Sequence, residues 1–493
     1  MGNLHFVLIP WLAQGHMIPM VDIARLLAEH GVTVSIITTP VNAARIQSTI
    51  DRISASGRLL HFVTLRFPAA EFGLPEGCEN LDSLPSRDLI LNFFQATKHL
   101  RGPLLQYLRS GSSLPLSCMI IDVYHPWAHG VARDLGVPCL AFHGYSCCSL
   151  LSIHYLHHYK THETMPSMSD SFILPGLPHR IEMTRWKLPR QFHDDVPYQE
   201  IYEEVREADE MADGVIVNSF DELEPGYTER IEKATGKKAW TVGPVSLQNK
   251  GRSDMAERGN KSTVDKEQCL KWLDSKKPKS VIYVSFGSMG KFSSLQLKEM
   301  GAGLLASSRP FIWVIKGGQK PLEEVEKWVG ERIKGRVDSR CLLIKGWAPQ
   351  VMILSHPAVG GFVTHCGWNS TLEGVSAGVP MVTWPLFAEQ FLNEKLIVEV
   401  LGFGVAVGVE MPTGWCKGEE GGVMVKREQL TKAVERLMDE GEEGNERRRR
   451  AKELGEKANK ALEEGGSSNL SITRLIQYVA EKAGEKAMEN LSV

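Results

Sequence analysis

The sequence predicts an α/β protein built as two Rossmann-like domains facing a central cleft. Three observations predict it. Short apolar runs alternate with helix-length segments in two separate blocks of the 493-residue chain, which is the pattern of βαβ units around a parallel sheet. A polar stretch at 246–262, SLQNKGRSDMAERGNKS, separates the blocks and has the composition of a linker. Hydrophobic residues make up 43% and charged residues 23%, values that allow large buried cores and exclude disorder as the main state. We therefore expect a first domain at 1–245, a linker at 246–262 and a second domain at 263–471. The segment 472–493 is expected as a helix packing back on the first domain.

The elements of the first block follow in order. His5 to Trp11 is an apolar strand candidate, and Met17 to Gly31 carries a helical stripe of Val21, Ile23, Ala24, Leu26 and Leu27 that ends at a glycine stop. Val32 to Thr38 is a second strand, rich in β-branched residues. Asn42 to Ile50 reads as helix, and Leu60 to Leu65 as strand. Ser117 to Ile121 is a further strand, with a helix through Ala132 and a strand at Cys139 to Phe142. Leu150 to about Glu210 breaks the rhythm and reads as loops and short helices. Gly214 to Asn218 and Ala239 to Val242 resume it. In the second block the strand candidates are Ser280–Ser285, Pro310–Ile315, Cys341–Ile344, Gly361–Thr364, Pro380–Thr383 and Gly404–Val407, with a charged helical region from Arg427 onward.

Charge and cysteine usage narrow the function classes. Lys and Arg total 56 against 59 Asp and Glu, without the basic excess of a nucleic-acid binder. Nine cysteines, with no C-x-x-C pair, argue against a zinc ribbon or a thioredoxin motif and for a reducing, cytoplasmic setting. Phe6 to Ala13 lacks a basic n-region and is too short to span a bilayer, and no other run reaches about 18 apolar residues. We expect no membrane span.

Several patterns are weighed and set aside. Gly301-Ala302-Gly303-Leu304-Leu305-Ala306 matches a dinucleotide fingerprint, with Glu323 twenty residues beyond Gly303. Ser293–Met300 before it reads as helix, where that motif needs a strand, so small-residue helix packing is expected. The cluster His154, His157, His158 and His162 has metal-like spacing but no completing Cys or carboxylate. Arg447–Arg450 lies among Glu and Lys and is expected to be a solvated helix face.

Two constellations carry chemistry. His16 follows the first strand at Gln14-Gly15-His16, and Asp122 follows the strand Cys118–Ile121. Ligands of open α/β sheets bind beyond the carboxyl ends of strands. A His and an Asp on two such ends can form a general base, the carboxylate fixing the imidazole tautomer; they could equally be a capping Asp and an unrelated His. No G-x-S-x-G elbow lies near to complete a hydrolytic triad. The second constellation is WAPQVMILSHPAVGGFVTHCGWNSTLEGVSAGVPMVTWPLFAEQ, residues 347–390. A strand runs into His365–Thr371 and then a helix, whose N-terminus suits a phosphate. Trp347 offers a flat face for a base, Glu373 can accept from ribose hydroxyls, and Glu389 and Gln390 suit a polyhydroxylated group.

This segment resembles, over all 44 positions, the signature box of plant secondary-product UDP-glycosyltransferases, inverting family 1 enzymes of the GT-B fold. PWLAQGHMIPMVDIARLL, GVIVNSFDELEP, AWTVGPVSL, Gln268–Ser275 and VIYVSFGS extend the resemblance over nearly the whole chain, and it looks nearest to the subgroup of flavonoid, brassinosteroid and triterpenoid glucosyltransferases. The resemblance implies that His16 is the base and Asp122 its partner. It implies Trp347, the Ala348 backbone and Gln350 on the nucleoside, and Glu373 on ribose. Ser288, His365, Trp368 through its backbone, Asn369 and Ser370 fall on the diphosphate, and Glu389 and Gln390 on the sugar. A final Gln implies UDP-glucose; Glu389 stands where the family more often has Asp, one methylene shorter, which leaves galactose, xylose and glucuronic acid open. No metal or other cofactor is implied. An acceptor pocket is expected to include Gly15, Phe142, Tyr145 and Phe387, for a lipophilic alcohol or phenol. A monomer is expected, with a sugar donor and a small acceptor as its partners and no nucleic acid. The rival readings are a nucleotide-sugar epimerase or phosphorylase, or a non-catalytic UDP-sugar-binding protein, on the same architecture.

Overall fold

The computed structural model describes residues 4–55, 57, 59–110, 114–193, 198–249, 251–316, 323–325, 327–329, 331, 340–413 and 422–491. The chain divides into two compact units: Met1–Cys147 with Val196–Asn249 and Lys460–Val493, and Cys148–Asp195 with Lys250–Asn459. Each is a Rossmann-like unit around a parallel sheet.

The described strands are β1 (His5–Ile9), β2 (Thr33–Thr38), β3 (Leu60–Thr64), β4 (Cys118–Asp122), β5 (Cys139–His143), β6 (Ser171–Ile173), β7 (Glu182–Thr184), β8 (Gly214–Val217), β9 (Lys238–Thr241), β10 (Val281–Ser285), β11 (Phe311–Ile315), β12 (Cys341–Lys345), β13 (Val359–Thr364), β14 (Met381–Thr383) and β15 (Gly404–Ala406). Among the described residues the first unit has the order β3-β2-β1-β4-β5-β8-β9 and the second β12-β11-β10-β13-β14-β15; β6 and β7 form a separate hairpin. Every pairing within the two large sheets is parallel. The central strands are covered on both faces, so β1 (HFVLI), β4 (CMIID) and β10 (VIYVS) are apolar along most of their length and buried throughout.

Register builds the first core. Phe6 lies beside Val34 and Cys118, and Leu8 beside Ile36 and Ile120. These residues pack with Met20, Ile23 and Leu27 of helix Gln14–Glu29, and with Ile472, Leu475, Ile476 and Val479 of the C-terminal helix Ser467–Leu491. The Tyr478 ring sits 5.1 Å from that of Trp240 at the sheet edge. A buried aliphatic side chain contributes about 1.5–3 kcal/mol, so this last helix is part of the first unit's core. In both sheets the strand order reverses once in the middle, between β1 and β4 and between β10 and β13. Loops diverge at such a point and leave a crevice at the carboxyl ends of the strands.

Several expectations change. The first helix begins at Gln14, not Met17, so His16 lies in its first turn. The region read as loops and short helices holds two substantial helices, Cys147–Tyr159 and Gln199–Glu210. Residues 148–195 group with the second unit rather than the first: the Ser149 hydroxyl donates to Asn393 at 3.1 Å, and the Lys187 ammonium lies over the Phe391 ring. The first unit runs on to Asn249, which Arg25 (2.8 Å) and Asp22 (3.0 Å) hold in place. The expected linker continues into a short helix, Arg252–Ala256.

The patterns set aside resolve in structural terms. Gly301 and Gly303 lie on helix Ser294–Ala306, where a Cβ would meet the Trp328 ring at 2.7 Å and the Arg427 carbonyl at 2.8 Å. His157 and His162 pack their rings on Phe192, and among the described residues no cluster of three or more His, Cys, Asp or Glu could hold a metal. Arg447–Arg450 bond to Glu443, Glu446, Glu453 and nearby carbonyls along an exposed helix. Eight cysteines are buried free thiols; Cys416 lies outside the described residues. Among those residues no helix is long and apolar enough to cross a membrane.

Candidate active site

In the first unit the reversal of strand order brings His16 and Asp122 together. Asp122 is the last residue of β4 and is fully buried; His16 lies just past β1. Nδ1 of His16 and Oδ2 of Asp122 are 2.7 Å apart. An ionised carboxylate only accepts, so Nδ1 carries the proton and the ring's basic lone pair is on Nε2. The other carboxylate oxygen accepts from the Tyr124 N–H at 3.1 Å, which anchors it from the opposite side. The Tyr124 ring stands edge-on to His16, and its hydroxyl is 2.6 Å from that of Tyr145. Gly144 closes the other flank: a Cβ there would lie 3.1 Å from Cε1 of His16.

A second imidazole nearby is occupied differently. His125 donates from Nε2 to the Pro10 carbonyl and accepts at Nδ1 from the Trp127 indole. Burial pushes its pKa down to about 4, so it is neutral and both its nitrogens are engaged. Of the residues expected around the acceptor, Gly15 is exposed and Tyr145 half-buried next to Gly144. Phe142 is a correction. It is fully buried among Leu8, Ile120 and Ile216 and has no surface to offer a ligand. Phe387 belongs to the second unit.

There, the turns after β10 and β13 meet. The His365 ring lies against Gly287 of the Ser285-Phe286-Gly287-Ser288 turn and against Gly367; a Cβ on Gly287 would come within 2.6 Å of it. Gly287 also has φ +67°, a backbone region that L side chains rarely enter. Burial pushes the His365 imidazole down to about 3, with the Lys316 ammonium adding to the fall. Its Nδ1 is buried with no hydrogen-bond partner. Helix Trp368–Ser376 follows, capped by Gly367 without a side-chain bond and with no acidic residue in its first turn. A helix start of this kind carries positive partial charge on its leading N–H groups. The Trp368 side chain is buried, which leaves its backbone, while Asn369 is half-buried and Ser370 nearly covered. Ser288 is half-buried in the facing turn.

Gln350 is the hub of the neighbouring group. Its amide nitrogen donates to Glu373 at 2.7 Å and to Ser370 at 3.0 Å, its amide oxygen accepts from the Tyr283 hydroxyl, and its backbone N–H bonds the Ala348 carbonyl. Trp347 carries the Lys316 ammonium 4.4 Å from its ring centre and donates its indole N–H to the Arg258 carbonyl at 3.3 Å. The Arg258 guanidinium is paired with Glu373. After β14, the Gln390 amide oxygen accepts the N–H groups of Leu386 and Phe387, closing the loop that carries half-buried Phe387 and buried Glu389. Asn393, one helical turn on, donates to the Cys366 carbonyl at 2.9 Å and ties that loop to the turn after β13. Cys366 and Ala388 hold φ of +63° and +54°, strain of the kind that collects at functional loops.

Sequence reasoning missed Tyr124, Gly144, Arg258, Tyr283, Lys316 and Asn393. Lys316 stands directly after a strand, a position that could have flagged it. Arg258 sits inside linker-like composition, and nothing local marks it.

Comparison with known proteins agrees with this architecture. The family of UDP-glucoronosyl and UDP-glucosyl transferases matches residues 260–414, and the glycosyltransferase N-terminal domain matches 3–247. UDP-glycosyltransferase 73C5 of Arabidopsis thaliana is 50% identical over 486 residues, 97% of each chain, and UDP-glycosyltransferase 73C25 of Barbarea vulgaris is 50% identical over 481 residues, again 97% of each. Among solved structures, Glycyrrhiza uralensis UGT73P12, complexed with glycyrrhetinic acid 3-O-monoglucuronide, superposes with a TM-score of 0.90 at 40% identity, covering 99% of this chain and 98% of that one. Phytolacca americana UGT2, complexed with UDP-2fluoro-glucose and pterostilbene, does so at 0.74 and 27% identity, covering 97% and 100%. The chain belongs to the plant UDP-glycosyltransferase family: it is a UDP-sugar-dependent glycosyltransferase of the GT-B fold.

Proposed function

We propose that this enzyme transfers glucose from UDP-glucose to a hydroxyl of a lipophilic small molecule with inversion, giving a β-O-glucoside and UDP. The observation that carries the reaction is the 2.7 Å contact of His16 with buried Asp122 at the first unit's switch point. Nε2 of His16 takes the acceptor's hydroxyl proton as that oxygen bonds to the anomeric carbon. The bond from that carbon to the β-phosphate oxygen breaks, and UDP leaves with the electron pair. Asp122 stabilises the imidazolium; general-base assistance of this kind is worth about 10²–10⁴-fold.

On this reading Trp347, the Ala348 backbone and Gln350 take the uridine, and Glu373 the ribose. Ser288, His365, the Trp368 backbone, Asn369 and Ser370 take the diphosphate, and Glu389 and Gln390 the glucose hydroxyls. The orphan Nδ1 of His365 and the start of helix Trp368–Ser376 beside it support the diphosphate assignment. They meet the charge growing on the leaving group, so the reaction as proposed calls on no metal or cofactor. Gly15, Tyr145 and Phe387 are assigned to the acceptor. The Phytolacca americana neighbour, bound to both UDP-2fluoro-glucose and pterostilbene, supports glucose as the sugar and an aromatic acceptor. We place the enzyme in the cytoplasm as a monomer.

A panel of aglycones and UDP-sugars, read by mass spectrometry, tests this. Glucoside should form only when acceptor is present, and UDP-glucose alone should stay unchanged; isomerised sugar without acceptor would point to an epimerase instead. His16→Ala should lower kcat by about 10²–10⁴-fold while UDP still binds, and Asp122→Asn should cost less. Loss of UDP binding in His16→Ala would refute the division of labour.

A further inference from the structure

We propose that Arg258 is a positioning residue for the nucleoside half of the donor, acting through Glu373 and Trp347. The inference rests on the donor-site reading above and deepens it. Two contacts define it. The Arg258 guanidinium pairs with one oxygen of Glu373, whose other oxygen accepts from Gln350 at 2.7 Å. The Arg258 carbonyl accepts the Trp347 indole N–H at 3.3 Å. One residue thus grips the group assigned to ribose with its side chain and the ring assigned to uracil with its backbone.

The need for such a residue is electrostatic. The Glu373 side chain is 7% exposed and that of Arg258 8%. A carboxylate so covered needs a cation and hydrogen-bond donors on its oxygens in place of the water it has lost. The guanidinium holds one oxygen and the opposed Gln350 amide the other, which fixes the plane of the carboxylate that ribose hydroxyls would meet. The chain around Arg258 is itself fastened: the Thr263 N–H donates to the Trp347 carbonyl at 3.0 Å, and the Thr263 hydroxyl to the Lys345 carbonyl. The stretch from 258 to 263, polar enough to read as a passive linker, therefore borders the nucleoside-binding residues.

The contrary role is a strap in which Arg258 competes with ribose for Glu373. The two roles predict opposite signs. Isothermal titration with UDP on the full-length enzyme, together with initial rates, decides between them. Arg258→Ala should raise the Kd for UDP and the KM for the UDP-sugar by about tenfold, with kcat and the acceptor KM close to wild type. Arg258→Lys, which keeps the charge but not the fork, should recover part of the loss. Glu373→Ala should weaken UDP binding too, and Arg258→Ala with Glu373→Ala should bind no worse than Glu373→Ala alone. Tighter UDP binding by Arg258→Ala would establish the strap and overturn the proposal, as would fully additive losses in the double variant. Parallel loss of acceptor affinity and melting temperature would reduce Arg258 to a structural support and overturn it as well. Weakened binding in Glu373→Ala but not in Arg258→Ala would sink this inference alone; unaltered UDP binding in Glu373→Ala would sink the donor-site reading with it.

Discussion

Gly144 lacks a side chain where the His16 ring needs the room. A Cβ there would meet Cε1, Nδ1 and Nε2 at 3.1, 3.3 and 3.5 Å, so the ring must shift by a few tenths of an ångström. Its hydrogen bond to Asp122 leaves little freedom, and misplacement of a catalytic group by about 1 Å can cost on the order of 10²-fold in rate. Gly144→Ala should therefore lower kcat by about tenfold with its melting temperature nearly unchanged. Steady-state rates beside a thermal melt check this, and a wild-type rate would show that the ring is not confined. At this scale the sequence was legible where chemistry-bearing residues cluster in one segment, as from Trp347 to Gln390. It was illegible at Gly144, whose role depends on a ring over a hundred residues away. Phe142 shows the complementary failure: β5 is covered on both faces, so no polar alternation reveals which of its side chains face the core.

Helix Gln390–Lys395 carries a second titratable group that the proposed chemistry does not use. Glu394 is buried and accepts from the Thr383 hydroxyl at 2.7 Å. Burial lifts its pKa from 4.5 to about 7. Between those values the unfolded chain releases this proton and the folded chain keeps it, so stability falls as pH rises through the window and the penalty is complete above about 7. A tenfold change in a proton-binding constant is worth about 1.4 kcal/mol, so the full effect is on the order of 3 kcal/mol. Glu394→Gln can still accept from Thr383 but has no charge to bury. It should melt above wild type at pH 8 and near wild type at pH 4; an equal gap at both pH values would mean that Glu394 does not titrate there. The elements themselves were largely legible, because strand and helix periods are written in neighbouring residues. One exception is Cys147–Tyr159, whose sequence CCSLLSIHYLHHY mixes apolar and aromatic residues around the helix without a clean stripe; Gln199–Glu210 is another.

Taken whole, the first unit depends on a helix more than two hundred residues away in the chain. Ile472, Leu475, Ile476 and Val479 fill the same core as β1, β4 and β5. Leu475 is fully buried, and Leu-to-Ala changes in such cores cost about 2–5 kcal/mol. Leu475→Ala should therefore destabilise the first unit by that amount, seen as an earlier unfolding transition in urea, while UDP affinity, assigned to the second unit, is retained. An unaltered transition would mean that the helix only rests on the surface. The sequence by itself determined the two α/β blocks, the run of strands and the residues of the 347–390 segment, because hydrophobic period and a contiguous motif are local properties. Tertiary structure alone decided that β1 lies beside β4 and β10 beside β13, that 148–195 joins the second unit, and that Arg258 leaves its linker to pair with Glu373. These outcomes turn on packing and charge neutralisation between residues far apart in the chain, which no local pattern encodes.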